Sequence, residues 1–176
     1  SGKSKVNLQT LPSKDFPLIS AKENAKLDIV KIEQNVLKDM LQKVQFSMAQ
    51  QDIRYYLNGL LLVLEGRTLR LIATDGHRLA HASTQLKSSA GDRETILPRK
   101  TVLELTKLLN DDDAMVEMNI TDTQINRNFN NVTLVSKLVD GKFPDYKRVI
   151  PTDLSNELVI AKEDLQGALQ RAAILS

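Results

Sequence analysis

Cysteine is absent from this chain of 176 residues, which excludes a disulfide framework and any thiolate metal site. Aromatic residues make up only 4%, so the core is expected to be aliphatic, built on Leu, Ile and Val. No apolar run approaches the roughly 20 residues that span a bilayer. A signal peptide is also lacking, although this N-terminus reads as internal to a longer protein. A soluble intracellular protein is the expectation, and the two sequons, Asn119-Ile120-Thr121 and Asn131-Val132-Thr133, matter only in a secreted one. The formal net charge of +2 is too small to mark a nucleic-acid binder by itself, so the placement of the charge carries the argument.

Motifs of catalysis are equally scarce. There is no Gly-x-Ser-x-Gly elbow and no glycine-rich phosphate loop, since Gly66, Gly76, Gly91 and Gly141 are isolated turn residues. Both histidines lie in Asp75-Gly76-His77-Arg78-Leu79-Ala80-His81. On a strand His77 and His81 share a face, yet no third ligand stands at a useful spacing. One turn histidine and one strand-surface histidine is the plainer reading. A hydrolase or transferase using His77 with Asp75 stays open as the enzymatic alternative, because triad members meet in space rather than along the chain. A purely structural repeat protein is the third reading. Nothing in the chain requires an enzyme.

What is present is a repeat. Val6-Asn7-Leu8-Gln9-Thr10-Leu11-Pro12-Ser13-Lys14-Asp15-Phe16-Pro17 is answered near the end by Val132-Thr133-Leu134-Val135-Ser136-Lys137-Leu138-Val139-Asp140-Gly141-Lys142-Phe143-Pro144. An alternating segment follows each copy (Leu27 to Ile32, Leu158 to Lys162), then an amphipathic helix in which Leu37, Leu41 and Val44 answer to Leu165, Leu169 and Ala172. A repeat this long is a whole domain rather than a solenoid unit. The chain therefore reads as the tail of one domain (1–20, strand and turn), a polar linker (21–26), a complete second domain (27–150) and the opening strand and helix of a third (151–176).

Within the second domain one plan runs twice. The first round is a strand at 27–32, a helix at about 33–47, and strands at Gly59–Leu64, Thr68–Thr74 and Arg78–Thr84. The second is a short strand at Thr95–Leu97, a helix from Pro98, a favoured first-turn residue, to about Leu109, a turn at Asp111-Asp112-Asp113, and strands at Ala114–Asn119, Gln124–Asn128 and Val132–Lys137. Glu65-Gly66 and Asn130-Asn131 fall where tight hairpins are expected. One helix and a three-stranded meander, done twice, predicts an α+β domain with helices on one face of antiparallel sheets.

Polar residues on the helices suggest a binding face. Lys100, Glu104 and Lys107 recur at helical spacing away from Val102, Leu105 and Leu109, and Lys38, Gln42 and Gln45 lie opposite Val36, Leu37, Met40, Leu41 and Val44. Such a face is ordinarily just solvated, but two of them side by side make a polar, net-basic surface. Arg54-Tyr55-Tyr56 places two of three tyrosines on a loop beside Gln51, a pattern suited to stacking or sugar-phosphate contact. One of those tyrosines serves equally well as a core anchor.

The runs Phe46 to Gly59, Ala73 to Ala80, Pro98-Arg99-Lys100, Ser136 to Val149 and Arg171 to Ser176 closely resemble the bacterial sliding clamp, the β subunit of the replicative DNA polymerase III. The resemblance covers essentially the whole chain in order. It implies a sliding-clamp fold of three similar domains per subunit, two subunits closing head to tail into a ring with helices lining the hole. It further implies a non-enzymatic processivity factor that encircles double-stranded DNA, tethers the DNA polymerase III catalytic subunit and other polymerases, meets a clamp loader, and docks proteins carrying a clamp-binding motif. No cofactor or metal is implied, and the location is cytoplasmic, at the nucleoid. Carried over by position, the DNA-side residues are Gln51, Arg54, Tyr55, Tyr56, Arg99 and Lys100. The pocket for the partner's short hydrophobic motif maps to Leu57, Thr74, Gly76, His77, Arg78, Leu79, Pro144, Arg148 and Val149. Without the resemblance, Leu57, Leu79 and Val149 read equally well as core and Pro144 as a turn.

Overall fold

Strand β1 (Asp28–Glu33) buries Asp28, Val30 and Ile32 and exposes Ile29 and Lys31, the period-2 pattern of a strand with one covered face. The computed structural model describes residues 2, 5–15, 26–129 and 132–174. Phe16-Pro17 of the repeat, most of the expected linker and the Asn130-Asn131 hairpin lie outside the described residues.

Helix α1 (Gln34–Val44) follows β1 directly and buries Leu37, Met40, Leu41 and Val44, one stripe at helical spacing. No side chain caps its N-terminus. Its first amides are satisfied instead by the distant turn at residues 112–114: Gln34 N donates to Ala114 O at 3.0 Å and Asn35 N to Asp112 O at 2.9 Å. The expected helix reached 47; the last three residues, Gln45–Ser47, tighten into a 3-10 turn.

The first meander is β2 (Gly59–Glu65), β3 (Thr68–Thr74) and β4 (Leu79–Gln85). Gly66, at φ 56°, turns β2 into β3, as a two-residue hairpin requires. The second round runs β5 (Asp92–Pro98), α2 (Arg99–Leu108), β6 (Met115–Ile120), β7 (Gln124–Phe129) and β8 (Val132–Lys137). β5 is longer than the expected Thr95–Leu97. Its polar first half carries no apolar alternation, and it is extended because it pairs with β2 from Glu65↔Asp92 to Gly59↔Pro98.

Each helix is preceded by a strand that joins the other half's meander. The sheets run β1-β6-β7-β8 and β4-β3-β2-β5, antiparallel throughout. This exchange knits the two halves into one core, in which Leu60, Leu62, Leu64, Leu69 and Leu71 of one sheet and Val116, Met118, Ile120 and Ile125 of the other enclose Leu37, Leu41, Val102 and Leu105 of the helices. α1 packs on β3, β4 and β1, α2 on β2 and β5, and the two helices touch. The fold is α+β with the helices on the sheets, and its core is aliphatic.

The chain divides into two units, Ser1–Phe143 and Pro144–Ser176. The second holds a 3-10 turn at Tyr146–Arg148 and helix α3 (Lys162–Ala172). Two expectations need correction. The segment Leu158 to Lys162 forms no strand ahead of α3, and residues 5–11 form none either. Both alternate suitably, but a strand exists only where its backbone groups find a ladder partner, and neither segment has one among the described residues. Val6, Leu8, Leu158 and Val159 are accordingly exposed.

Candidate DNA-facing loop and binding pocket

The loop between α1 and β2 carries four of the expected DNA-side residues. Gln51 is exposed and sits at φ 56°, an uncommon conformation for a residue with a side chain. Tyr55 and Tyr56 meet edge to face, with ring centroids 5.8 Å apart. Tyr55 is 58% exposed and Ile53 97%, so the loop offers apolar surface to solvent. Arg99 and Lys100 stand at the start of α2, and the backbone brings them to this loop: Arg99 N donates to Asn58 O at 3.1 Å and Arg99 Nη1 to Met48 O at 3.4 Å. The Lys100 side chain is exposed and makes no hydrogen bond or ion pair among the described residues.

Most other cations on α1 and α2 are neutralised locally. Lys38 pairs with Asp111 at 2.7 Å, Lys43 with Asp39 at 2.6 Å and Lys107 with Glu104 at 3.0 Å. That face is therefore polar with largely compensated charge, and the cations without an acidic partner among the described residues are Arg99 and Lys100, at the opening of α2. A helix N-terminus carries partial positive charge that favours anions, so Lys100 and the opening of α2 act in the same direction.

Arg54 is differently placed. Its Nε and Nη2 donate to the two oxygens of Asp52 at 3.0 and 2.8 Å, and Nη2 also donates to Asp75 O at 3.3 Å. The Arg54 side chain and then its amide, both donating to Asp52, hold that carboxyl down from 3.8 to about 2, because hydrogen bonds to the charged form favour it. Asn58 fixes Asp52 from the other side, accepting from Asp52 N at 3.0 Å and donating to Asp52 O at 2.8 Å.

Leu57 is buried, and Thr74 and Leu79 are half-buried at the ends of the β3–β4 turn. Thr74 Oγ1 donates to Arg78 O at 2.7 Å and accepts from Gly76 N at 3.1 Å. The Asp75 carboxylate accepts from His77 N, Arg78 N and Arg78 Nε at 2.9, 3.0 and 3.0 Å. Those backbone bonds from His77 and Arg78 are the main reason its pKa is lowered. Asp75 thus organises the turn, turning one oxygen to the amides of His77 and Arg78 and the other to the Arg78 guanidinium, not to an imidazole as the enzymatic alternative needs. Arg78 stacks over Phe46 with 5.6 Å to the ring centroid. Among the described residues no group of three or more His, Asp or Glu could hold a metal ion. Pro144, Arg148 and Val149 belong to the second unit and are exposed, with Arg148 Nε 3.0 Å from Asp145 Oδ2.

Sequence reasoning missed Asp52 and Asn58, which carry no binding signature yet shape the loop. The signal was local: an Asp two residues before an Arg and an Asn just before a strand-opening Gly are both turn chemistry.

Residues 31–145 match the family described as DNA polymerase III beta subunit, central domain. The chain belongs to the DNA polymerase III beta subunit family. Over its whole length this beta-subunit chain is 46% identical to the beta sliding clamp of Vibrio cholerae and 42% identical to that of Escherichia coli K12, covering 48% of each. Among solved structures it is similar to a DnaN sliding clamp from Pseudomonas aeruginosa bound to griselimycin (TM-score 0.85, 42% identity, 98% of this chain and 47% of that one). It is also similar to the Bacillus subtilis DNA polymerase sliding clamp (TM-score 0.88, 30% identity, 100% and 46%). The beta-subunit chain spans about half the length of the curated relatives it matches. Its described helices are too short or too polar to cross a membrane.

Proposed function

We propose that this chain is part of a sliding clamp, a non-enzymatic processivity factor whose ring encircles duplex DNA and tethers the replicative polymerase. The observation that carries the reading is similarity to beta sliding clamps along all 176 residues. In this reading residues 1–20 end the first clamp domain, 21–26 link it to the second, 27–150 are the complete second domain and 151–176 begin the third. A second subunit closes the ring head to tail, a clamp loader opens it, and the protein works in the cytoplasm at the nucleoid.

The physical logic suits the surface. A protein that must slide gains by touching phosphates, which carry no sequence information, and by avoiding base-edge readout that pins it. Lys100 and Arg99 at the opening of α2, with Gln51, Tyr55 and Tyr56 on the neighbouring loop, form the DNA side. Leu57, Thr74, Gly76, His77, Arg78 and Leu79 receive the short hydrophobic motif of partner proteins, and Pro144, Arg148 and Val149 of the second unit are given the same role by resemblance. Apolar side chains take its leucine and phenylalanine, and the cations frame the rim.

The test is the salt dependence of DNA binding by the complete gene product. Substituting Arg99→Gln and Lys100→Gln together is expected to lower the slope of log K against log salt by about 2, one phosphate contact per cation. An unchanged slope contradicts the DNA-side assignment.

A further inference from the structure

The DNA-side loop and the pocket turn are joined by one side chain. Asp75 and Arg54 are 21 residues apart, yet the Arg54 guanidinium donates to the Asp75 carbonyl and lies over Gly76. A Cβ built on Gly76 falls 3.2 Å from both Nη1 and Nη2 of Arg54, and Gly76 has φ +91°. Only glycine combines that backbone conformation with that approach. The guanidinium does not reach there by chance of rotamer, since the Asp52 carboxylate grips it by two parallel bonds, the fork geometry that fixes direction as well as attraction. Asp52 is itself braced by Asn58 in both directions.

From this follows a chain of fixed contacts: Asn58 to Asp52, Asp52 to Arg54, Arg54 to the Asp75 carbonyl and Gly76, the Asp75 carboxylate to the amides of His77 and Arg78, and Arg78 onto Phe46. We propose that Arg54 is a positioning residue for the partner pocket, a strut that Asp52 aims at the Asp75–Arg78 turn so that His77 and Arg78 face an incoming peptide in fixed orientation; this rests on the pocket reading above. It reassigns Arg54 within the loop. A guanidinium whose charge is matched by a bidentate carboxylate gains little from a phosphate, whereas exposed Lys100 has no such partner. Lysine does not replace it, because a point charge cannot make two parallel bonds to Asp52 and a third to the Asp75 carbonyl.

The experiment uses the complete gene product and two readouts on the same variants, well below the thermal midpoint of each. A fluorescein-labelled hexapeptide ending in Leu-Phe reports the pocket by anisotropy; duplex DNA over a salt series reports the DNA side. Arg54→Gln, Arg54→Lys and Asp52→Asn are each expected to weaken the peptide about tenfold, the scale of a lost charge-assisted hydrogen bond. The Asp52→Asn/Arg54→Gln double variant is expected to be no weaker than either single one, since both remove the same strut. All four are expected to keep the wild-type salt slope.

Peptide binding by Arg54→Gln equal to wild type overturns the proposal, as does full rescue by Arg54→Lys. A salt slope reduced by about 1 in Arg54→Gln also overturns it, because that marks a phosphate contact. Loss of both ligands in equal proportion marks a general structural role and overturns it too. A wild-type protein that does not bind the peptide removes the pocket reading as well, while the DNA-side reading stands on its own salt slope.

Discussion

Arg93 of β5 and Asp28 of β1 form an ion pair with side chains only 8% and 7% exposed, and it ties a strand of one sheet to a strand of the other. Arg93 Nη1 also reaches Asp122 in the β6–β7 turn at 2.9 Å, and Nη2 reaches the Lys26 carbonyl at 3.3 Å. The guanidinium thus sits where the two halves exchange their first strands.

Removing one partner of such a pair leaves a buried charge uncompensated. Arg93→Met is expected to cost about 3 kcal/mol, the low end for a broken buried pair, because Lys26 Nζ stays 3.9 Å from Asp28. The Asp28→Leu/Arg93→Met double variant is expected to recover most of that loss. Urea titration at constant m value measures both; equal loss in single and double variants contradicts the account.

Two glycines separate steric need from conformational need. A Cβ on Gly59 meets Leu97 O at 2.5 Å and Ile96 Cγ2 at 2.8 Å, whereas one on Gly66 meets nothing within 4 Å and only its φ of +56° resists substitution. Gly59→Ala is expected to cost about 1–3 kcal/mol by overpacking against fixed backbone, and Gly66→Ala about 1 kcal/mol. Thermal midpoints rank them. The Gly59↔Pro98 pair leads directly into Arg99 and Lys100, so Gly59→Ala also displaces the opening of α2.

The Asp52–Arg54 contact sets a pH window. The folded carboxyl sits at about 2 against an ordinary 3.8, so the unfolded chain takes up the proton first as pH falls. The stabilisation is therefore fully present above the ordinary value and is lost as pH drops toward about 2. Wild type and Asp52→Asn are expected to differ in thermal midpoint at neutral pH and to converge as pH approaches 2. A carboxyl titration of Asp52 by NMR with a midpoint near 3.8 contradicts the pairing.

Elements with a strong local period were legible in the sequence. Leu37, Met40, Leu41 and Val44 mark α1, and Val116, Met118 and Ile120 mark β6, because burial of one face imposes spacing. The polar half of β5 was not, since Asp92, Arg93 and Glu94 are held by β2 and Asp28 rather than by their own pattern. Nor was the strand exchange, which lives in contacts distant along the chain. Leu158 to Ile160 show the converse: a suitable pattern without a partner among the described residues stays unpaired. At the candidate site, the residues themselves put Arg54-Tyr55-Tyr56 on a loop and His77 in a turn, but the grip of Asp52 on Arg54 and the pairing of Lys38, Lys43 and Lys107 with acids are matters of three-dimensional aim.

Retention on DNA tests the clamp reading most directly. On that reading the complete gene product, loaded by a clamp loader onto nicked circular DNA, is expected to stay on the circle and to fall off once the circle is cut, because a ring around DNA is held by topology. Equal retention on circular and linear DNA means ordinary binding and contradicts the account.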